Sequence, residues 1–382
     1  MMDFIIKFAS EHETFRIPEI QALAVLEGVD LTILERSEDS PFYLVRLPSV
    51  EAAKKLLRRS VLAHSIHELW GTGTTYEALH ESVKSQTQHW WPSYKETSFK
   101  FVVDSYQGAR SNTKKLAIIN SFSFLPFEGP IRMANPDDTF TVFEFWPFNS
   151  IPLKIENPNI MYLGRLVGGS GRDIINKFDL KKRKYISTTS MDAELSLVTA
   201  NIALAAPGKL FYDPFVGTGS FPVACAHFGA FGWGSDIDGR SIRGEVDGKN
   251  LASNFKQSPD YIPPKKAYSF LAMLDDILMF ATDTLVDNGR LAFWMPSAND
   301  EEQEIPIPAH PCLELVAVCI QDFNKWSRKL ITYRRLPDSQ VSASNLEAYA
   351  TRRAASNFNT GTTADELNPF RRGYFRKFEV DE

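Results

Sequence analysis

Two short stretches carry residue types that could hold a nucleoside-bearing ligand: DPFVGTGSF, from Asp213 to Phe221, and GSDID, from Gly234 to Asp238. Gly217 and Gly219 follow an apolar run that reads as a strand, Leu210–Tyr212, and precede one that reads as a helix, Phe221–Phe228. A glycine-rich turn at such a junction lets the backbone approach a ligand closely, because no Cβ stands in the way. Asp236 falls at the end of the next predicted strand, Phe231–Ser235, about 20 residues on, where a carboxylate can accept both ribose hydroxyls. Glycine also serves ordinary turns, but strand, turn, helix, strand and acid in that order point to a bound ligand.

Two ligand classes fit this geometry. A dinucleotide fingerprint wants a third small residue where this chain has Pro222, and it normally lacks an acid before the first glycine. Asp213 stands where a carboxylate can meet the cationic amino group of a methionine moiety. The residues therefore favour S-adenosyl-L-methionine, with NAD as the alternative.

The rest of the chain has to position these groups. Its 382 residues suffice for two domains and a tail, and a composition of 43% hydrophobic and 23% charged residues with 28 Phe allows a substantial core. A net charge of -5 excludes a general polycation, so any nucleic-acid contact must come from local basic patches. Cys225, Cys312 and Cys319 are too few and too scattered for a disulfide framework or a zinc site, and they suit a reducing compartment. No apolar run reaches the roughly 18 residues of a membrane span, and Lys7 and Glu11 interrupt the N-terminal apolar stretch, unlike a signal peptide. The expectation is a soluble, cytoplasmic protein without membrane association.

Residues 1–155 alternate strand-like runs (Asp3–Phe8, Phe42–Leu47, Ser98–Val103, Phe122–Phe127, Phe140–Phe145) with amphipathic helices at Pro18–Glu27 and Val50–Arg59, an α+β pattern. The Pro- and Asn-containing stretch Pro147–Asn159 marks a boundary, and residues 156–335 read as α/β. There Lys181, Lys182, Arg183 and Lys184 form a basic run that could face RNA or be a solvated turn, and Ser190 is placed to cap a helix from Met191 to about Ala205. Residues 336–382 are polar and expected to be mostly disordered; within them Arg371 and Arg372 lie among aromatics that could contact RNA.

After Asp236 the alternation fails. Gly239–Phe255 reads as helix, Ser258–Lys266 as a Pro-rich link, and Tyr268–Leu285 as another helix, with no strand between. Strands resume only at Arg290–Met295, followed by Leu313–Ile320 and Lys329–Tyr333 as an antiparallel closing pair.

The segments KYISTTSMDAELSL, DPFVGTGSFPVACAHFGA, GSDIDGRSIRG, GRLAFWMPSAND and FNKWSRKL closely resemble the eukaryotic tRNA guanine-10 N2-methyltransferases, and the resemblance extends to FRIPEI, ELWG and LPFEG nearer the N-terminus. It implies an N-terminal α+β RNA-binding region with a THUMP module and a class I, Rossmann-like methyltransferase domain. It also implies tRNA as substrate and a small zinc-binding activator subunit as partner in a heterodimer. Carried over by motif, Asp213, Phe215, Gly217 and Gly219 would shape the methionine side, Asp236 would hold the ribose, and Thr189, Ser190 and Met191 would pack near the cofactor.

Relatives of this kind that methylate an exocyclic amine carry Asp-Pro-Pro-Tyr after the fourth strand of that domain. The amine lone pair is delocalised into the ring, so an acid and a backbone carbonyl must bind its hydrogens while the Tyr stacks on the base. This chain has no such tetrapeptide: its sole Pro-Pro, Pro263–Pro264, is preceded by Ile262 and followed by Lys265. No catalytic residue can therefore be assigned, and the gap falls near Gln257 and Ser258. A missing strand-helix-strand unit of at least about 30 residues, as from a skipped exon, accounts for both the lost motif and the broken alternation. Loss of a central strand should expose ladder groups and apolar faces. A divergent protein that binds tRNA or the partner without catalysis is the alternative.

Overall fold

The computed structural model describes residues 1–187, 190–239, 242, 268–298, 305–324, 326–356, 367, 368 and 370. The chain divides into two compact units, Met1–Arg16 with Leu23–Ile174, and Ile17–Ala22 with Ile175–Glu382.

The first unit is organised by one seven-stranded sheet. Its first half runs β1 (Met2–Phe8), α1 (Arg16–Glu27), β2 (Thr32–Glu35), β3 (Phe42–Leu47), α2 (Val50–Leu57) and β4 (Ala63–Gly73). The second half adds α3 (Tyr76–Thr87), β5 (Phe99–Tyr106), α4 (Asn112–Ser121), β6 (Asp138–Phe145) and β7 (Ile160–Gly169). The order β2-β3-β1-β4-β7-β6-β5 makes the sheet continuous across both halves. The first half has the β-α-β-β-α-β succession of a split βαβ module, with β1 antiparallel to both β3 and β4. Trp70, Leu79, Val83, Phe122, Leu125 and Phe140 form the core of the second half.

Two sequence expectations change here. The stretch Phe122–Phe127 is no strand: Phe122 caps the C-terminal end of α4, and the aromatics that follow pack into the same core from a turn. Their alternation reflected burial, which a compact turn supplies as well as a strand does. The unit also continues past the predicted boundary at 155, because β7 pairs with both β4 and β6 and closes the sheet.

In the second unit, α5 (Ile174–Phe178) and α6 (Ala193–Ile202) lead to β8 (Leu210–Asp213), α7 (Ser220–His227) and β9 (Phe231–Gly234). After the undescribed stretch come α8 (Phe270–Thr284), β10 (Arg290–Ala298), β11 (Leu313–Asp322), β12 (Trp326–Arg335) and α9 (Ala343–Ala355). Among the described residues the strands form two separate sheets, a parallel pair β8-β9 and an antiparallel set β10-β12-β11. The expected closing pair is therefore present, in the register Leu315↔Tyr333 and Val318↔Ile331. A parallel pair is ordinarily buried on both faces. Here Leu210, Phe231 and Trp233 are 72%, 68% and 69% exposed, and Leu210 stands opposite Phe231 in the ladder.

The tail differs from expectation over α9. Ser342 caps the helix, the Tyr349 hydroxyl donates to Asp275, and Arg353 pairs with Asp275 at 2.6 Å and Asp276 at 2.7 Å, so α9 is tied to α8. A low aliphatic content hid a helix held by ion pairs rather than by a broad apolar face. No helix among the described residues is long and apolar enough to cross a membrane.

Candidate cofactor site

The site is built where β8 passes into α7. Gly217 and Gly219 have φ of 50° and 82°, a left-handed conformation that side chains with a Cβ rarely adopt. A Cβ on Gly219 would meet nothing within 4 Å, so the space in front of the turn is open. The turn is fixed by its two strands: the Val216 amide donates to the Ser235 carbonyl at 3.0 Å, and the Ser235 amide to the Asp213 carbonyl at 2.9 Å.

The two acids are in different situations. Asp213 is 9% exposed; its Oδ1 accepts the Phe215 amide at 3.0 Å, while its buried Oδ2 has no hydrogen-bond partner. Burial raises its pKa against the pull of the Phe215 amide, and the neighbouring Asp236 charge adds to the rise. An orphaned, buried carboxylate oxygen beside a glycine turn is suited to receiving a cation. Asp236 is instead tied in place, with Oδ2 accepting the Gly217 amide at 2.8 Å and Oδ1 the Asp238 amide at 2.8 Å. Each oxygen retains a lone pair for an incoming hydroxyl.

Ser190 and Met191 lie against the turn, and neither starts α6. The helix cap is Asp192, whose carboxylate accepts the Leu195 amide at 2.8 Å, so α6 starts after the predicted point. Ser190 is thereby free to bond the Thr218 hydroxyl at 2.6 Å, and the Ser220 hydroxyl donates to the Met191 carbonyl at 3.1 Å. Thr218 and Ser220 were not singled out from sequence, although their hydroxyls flank Gly219 and could have been. Phe215 lies exposed at the turn. Thr189 lies outside the described residues, as do Arg371, Arg372 and the junction at Gln257 and Ser258.

The basic run separates into two kinds of residue. Lys181 and Lys184 are exposed, and Lys182 donates to the Asn176 carbonyl. Arg183 is half-buried and turns to the glycine turn, its Nη1 donating to the Thr218 carbonyl at 3.4 Å.

A family model described as the Tmrp11 THUMP N-terminal domain matches residues 2–172. The tRNA (guanine(10)-N(2))-methyltransferase of Saccharomyces cerevisiae is 36% identical over 428 residues, covering 94% of this chain and 98% of the relative. That of Schizosaccharomyces pombe is 35% identical, covering 90% of this chain and 92% of the relative. An alignment spanning 428 positions is longer than this 382-residue chain, so the budding-yeast relative has residues with no counterpart here. Among solved structures, TrmN from Thermus thermophilus aligns over 87% of the chain and all of its own, with 14% identity and a TM-score of 0.41.

Proposed function

The chain belongs to the tRNA (guanine(10)-N(2))-methyltransferase family, and from that membership we propose S-adenosyl-L-methionine as its methyl donor and the exocyclic N2 of guanine-10 in tRNA as the family's target. The orphaned Oδ2 of Asp213 beside the open turn carries the donor assignment. When bound, the donor supplies an electrophilic methyl group on a sulfonium. Asp213 binds its ammonium, Gly217 and Gly219 let the backbone close on it, and Asp236 holds the ribose hydroxyls. The THUMP match of the N-terminal unit supports tRNA binding, and the exposure of Lys181 and Lys184 supports their role as phosphate contacts. Arg371 and Arg372 are proposed as further RNA contacts. A small zinc-binding activator subunit and a cytoplasmic location complete the proposal.

This 382-residue form holds the cofactor half of the site without the half that activates the amine. Three observations support that reading: the missing Asp-Pro-Pro-Tyr, the unmatched positions in the relative, and a domain whose strands fall into two sheets with apolar side chains in water. The same observations favour, as the second reading, a form that binds tRNA without methylating it. Labelled S-adenosylmethionine and unmodified tRNA separate the possibilities. The chain as it stands should retain tRNA and transfer no label, while a chain carrying the relative's extra segment between Gln257 and Ser258 should transfer it. Transfer by the unaltered chain would refute the impairment, and inactivity of the extended chain would count against the missing-segment explanation.

A further inference from the structure

Two oppositely charged groups that border the glycine turn, Asp213 and Arg183, have no counter-ion among the described residues. Asp213 has a buried oxygen with no partner. Arg183 is half-buried, and its hydrogen bond to the Thr218 carbonyl is long at 3.4 Å and made to a neutral group. No carboxylate among the described residues pairs with it, and burial lowers its pKa. A guanidinium drawn partly out of water with no anion beside it among the described residues is destabilising, and its neighbours Lys181 and Lys184 avoid this by remaining exposed. Asp236, in contrast, has both oxygens engaged by backbone amides. One acid and one base left open around a single turn match a zwitterion.

We infer that Arg183 receives the α-carboxylate of the donor's amino-acid moiety while Asp213 receives its α-ammonium. Arg183 is thus a cofactor-binding residue rather than a member of an RNA-facing run. The inference rests on the cofactor reading above. Calorimetry with two ligands tests it: S-adenosylhomocysteine, which carries the amino-acid moiety, and methylthioadenosine, which lacks it. Arg183→Gln keeps a donor for the Thr218 carbonyl but removes the charge, and Arg183→Lys restores the charge without the fork. Arg183→Gln should weaken S-adenosylhomocysteine about tenfold or more, as expected for a lost charge-assisted bond, with methylthioadenosine unchanged within about twofold. Arg183→Lys should recover part of the loss. Equal weakening of both ligands, or of neither, overturns the assignment. A fall in tRNA retention with unchanged S-adenosylhomocysteine affinity also overturns it, giving Arg183 to the RNA phosphates. If the unaltered chain binds neither ligand, the cofactor reading fails, and the role of Arg183 with it.

Discussion

Replacing Asp213 with Asn should move binding and stability in opposite directions. Without ligand, the carboxylate is buried, one oxygen is unpaired, and its pKa is raised by burial and by Asp236. A folded-state pKa above the unfolded value means that the folded chain holds the proton more tightly. The charged side chain therefore costs stability, and the cost grows as pH rises through the unfolded value of about 3.9. Asn retains an acceptor for the Phe215 amide, 3.0 Å from Oδ1, and can turn its amino group to the open side of the turn. At neutral pH the variant should melt no lower than the parent, and the difference should vanish below about pH 3.9. With ligand the sign reverses, because a hydrogen bond to a charged group contributes about 1.5–3 kcal/mol. Its loss should weaken S-adenosylhomocysteine by about 10- to 150-fold. Differential scanning fluorimetry across pH and calorimetry on the same samples read both effects. If Asp213→Asn lowers the melting temperature and leaves ligand affinity unchanged, Asp213 is a structural turn residue and the receptor argument is wrong.

Three further outcomes follow from the same physics. His67 is buried, and burial, with the Lys7 charge, pushes its pKa down to about 3. The unfolded chain binds the extra proton between that value and about 6.5, so stability should fall as pH drops through this window, by up to about 1.4 kcal/mol per pH unit; urea unfolding at pH 7 and pH 5 should show it, and His67→Gln should flatten it. Arg110 clamps the fully buried Glu144 at 2.8 Å, with Tyr76 and Ser105 also donating, so Arg110→Met should cost about 3–5 kcal/mol, read as an earlier urea midpoint. Leu210→Lys should reduce binding of a hydrophobic dye without lowering the melting temperature of this form; in a chain with the extra segment restored it should instead destabilise by roughly 2 kcal/mol, because Leu210 would then be buried.

Where a signal was local, it was legible. Phe42–Leu47 was read residue for residue because a short, almost continuous apolar run rich in strand-favouring residues is bounded by Pro41 and Pro48, and β8, α7 and β9 were placed within about two residues by the glycine turn between them. The strand β4 was not recognised: Ala63–Gly73 contains His64, Ser65, His67 and Glu68, and these polar residues are accommodated by partners such as Arg165, which reaches Glu68 from β7 at 2.9 Å. Such compensation is visible only once the strands are paired. Asp192 displaced Ser190 as a cap for a related reason, since both types can cap and only the packing of Ser190 against Thr218 decides between them.

The glycine turn can form without the rest of a complete sheet because the amides of Phe215, Val216, Gly217 and Gly219 all find acceptors within β8, β9 and the turn itself. Val216 reaches Ser235, Gly217 reaches Asp236, and Asp213 holds Phe215. A motif with such local support keeps its form even where, among the described residues, the strands of its unit do not join into one sheet. Activation of an exocyclic amine has no equivalent local support: it needs groups held opposite the donor by a strand beside β8. The exposed Leu210, Phe231 and Trp233 mark that requirement physically, since a parallel pair whose apolar side chains face water has a composition suited to a sheet interior and a position at an edge. On the proposed reading, cofactor recognition and catalysis separate in this chain, and the expected outcome is ligand binding without methyl transfer.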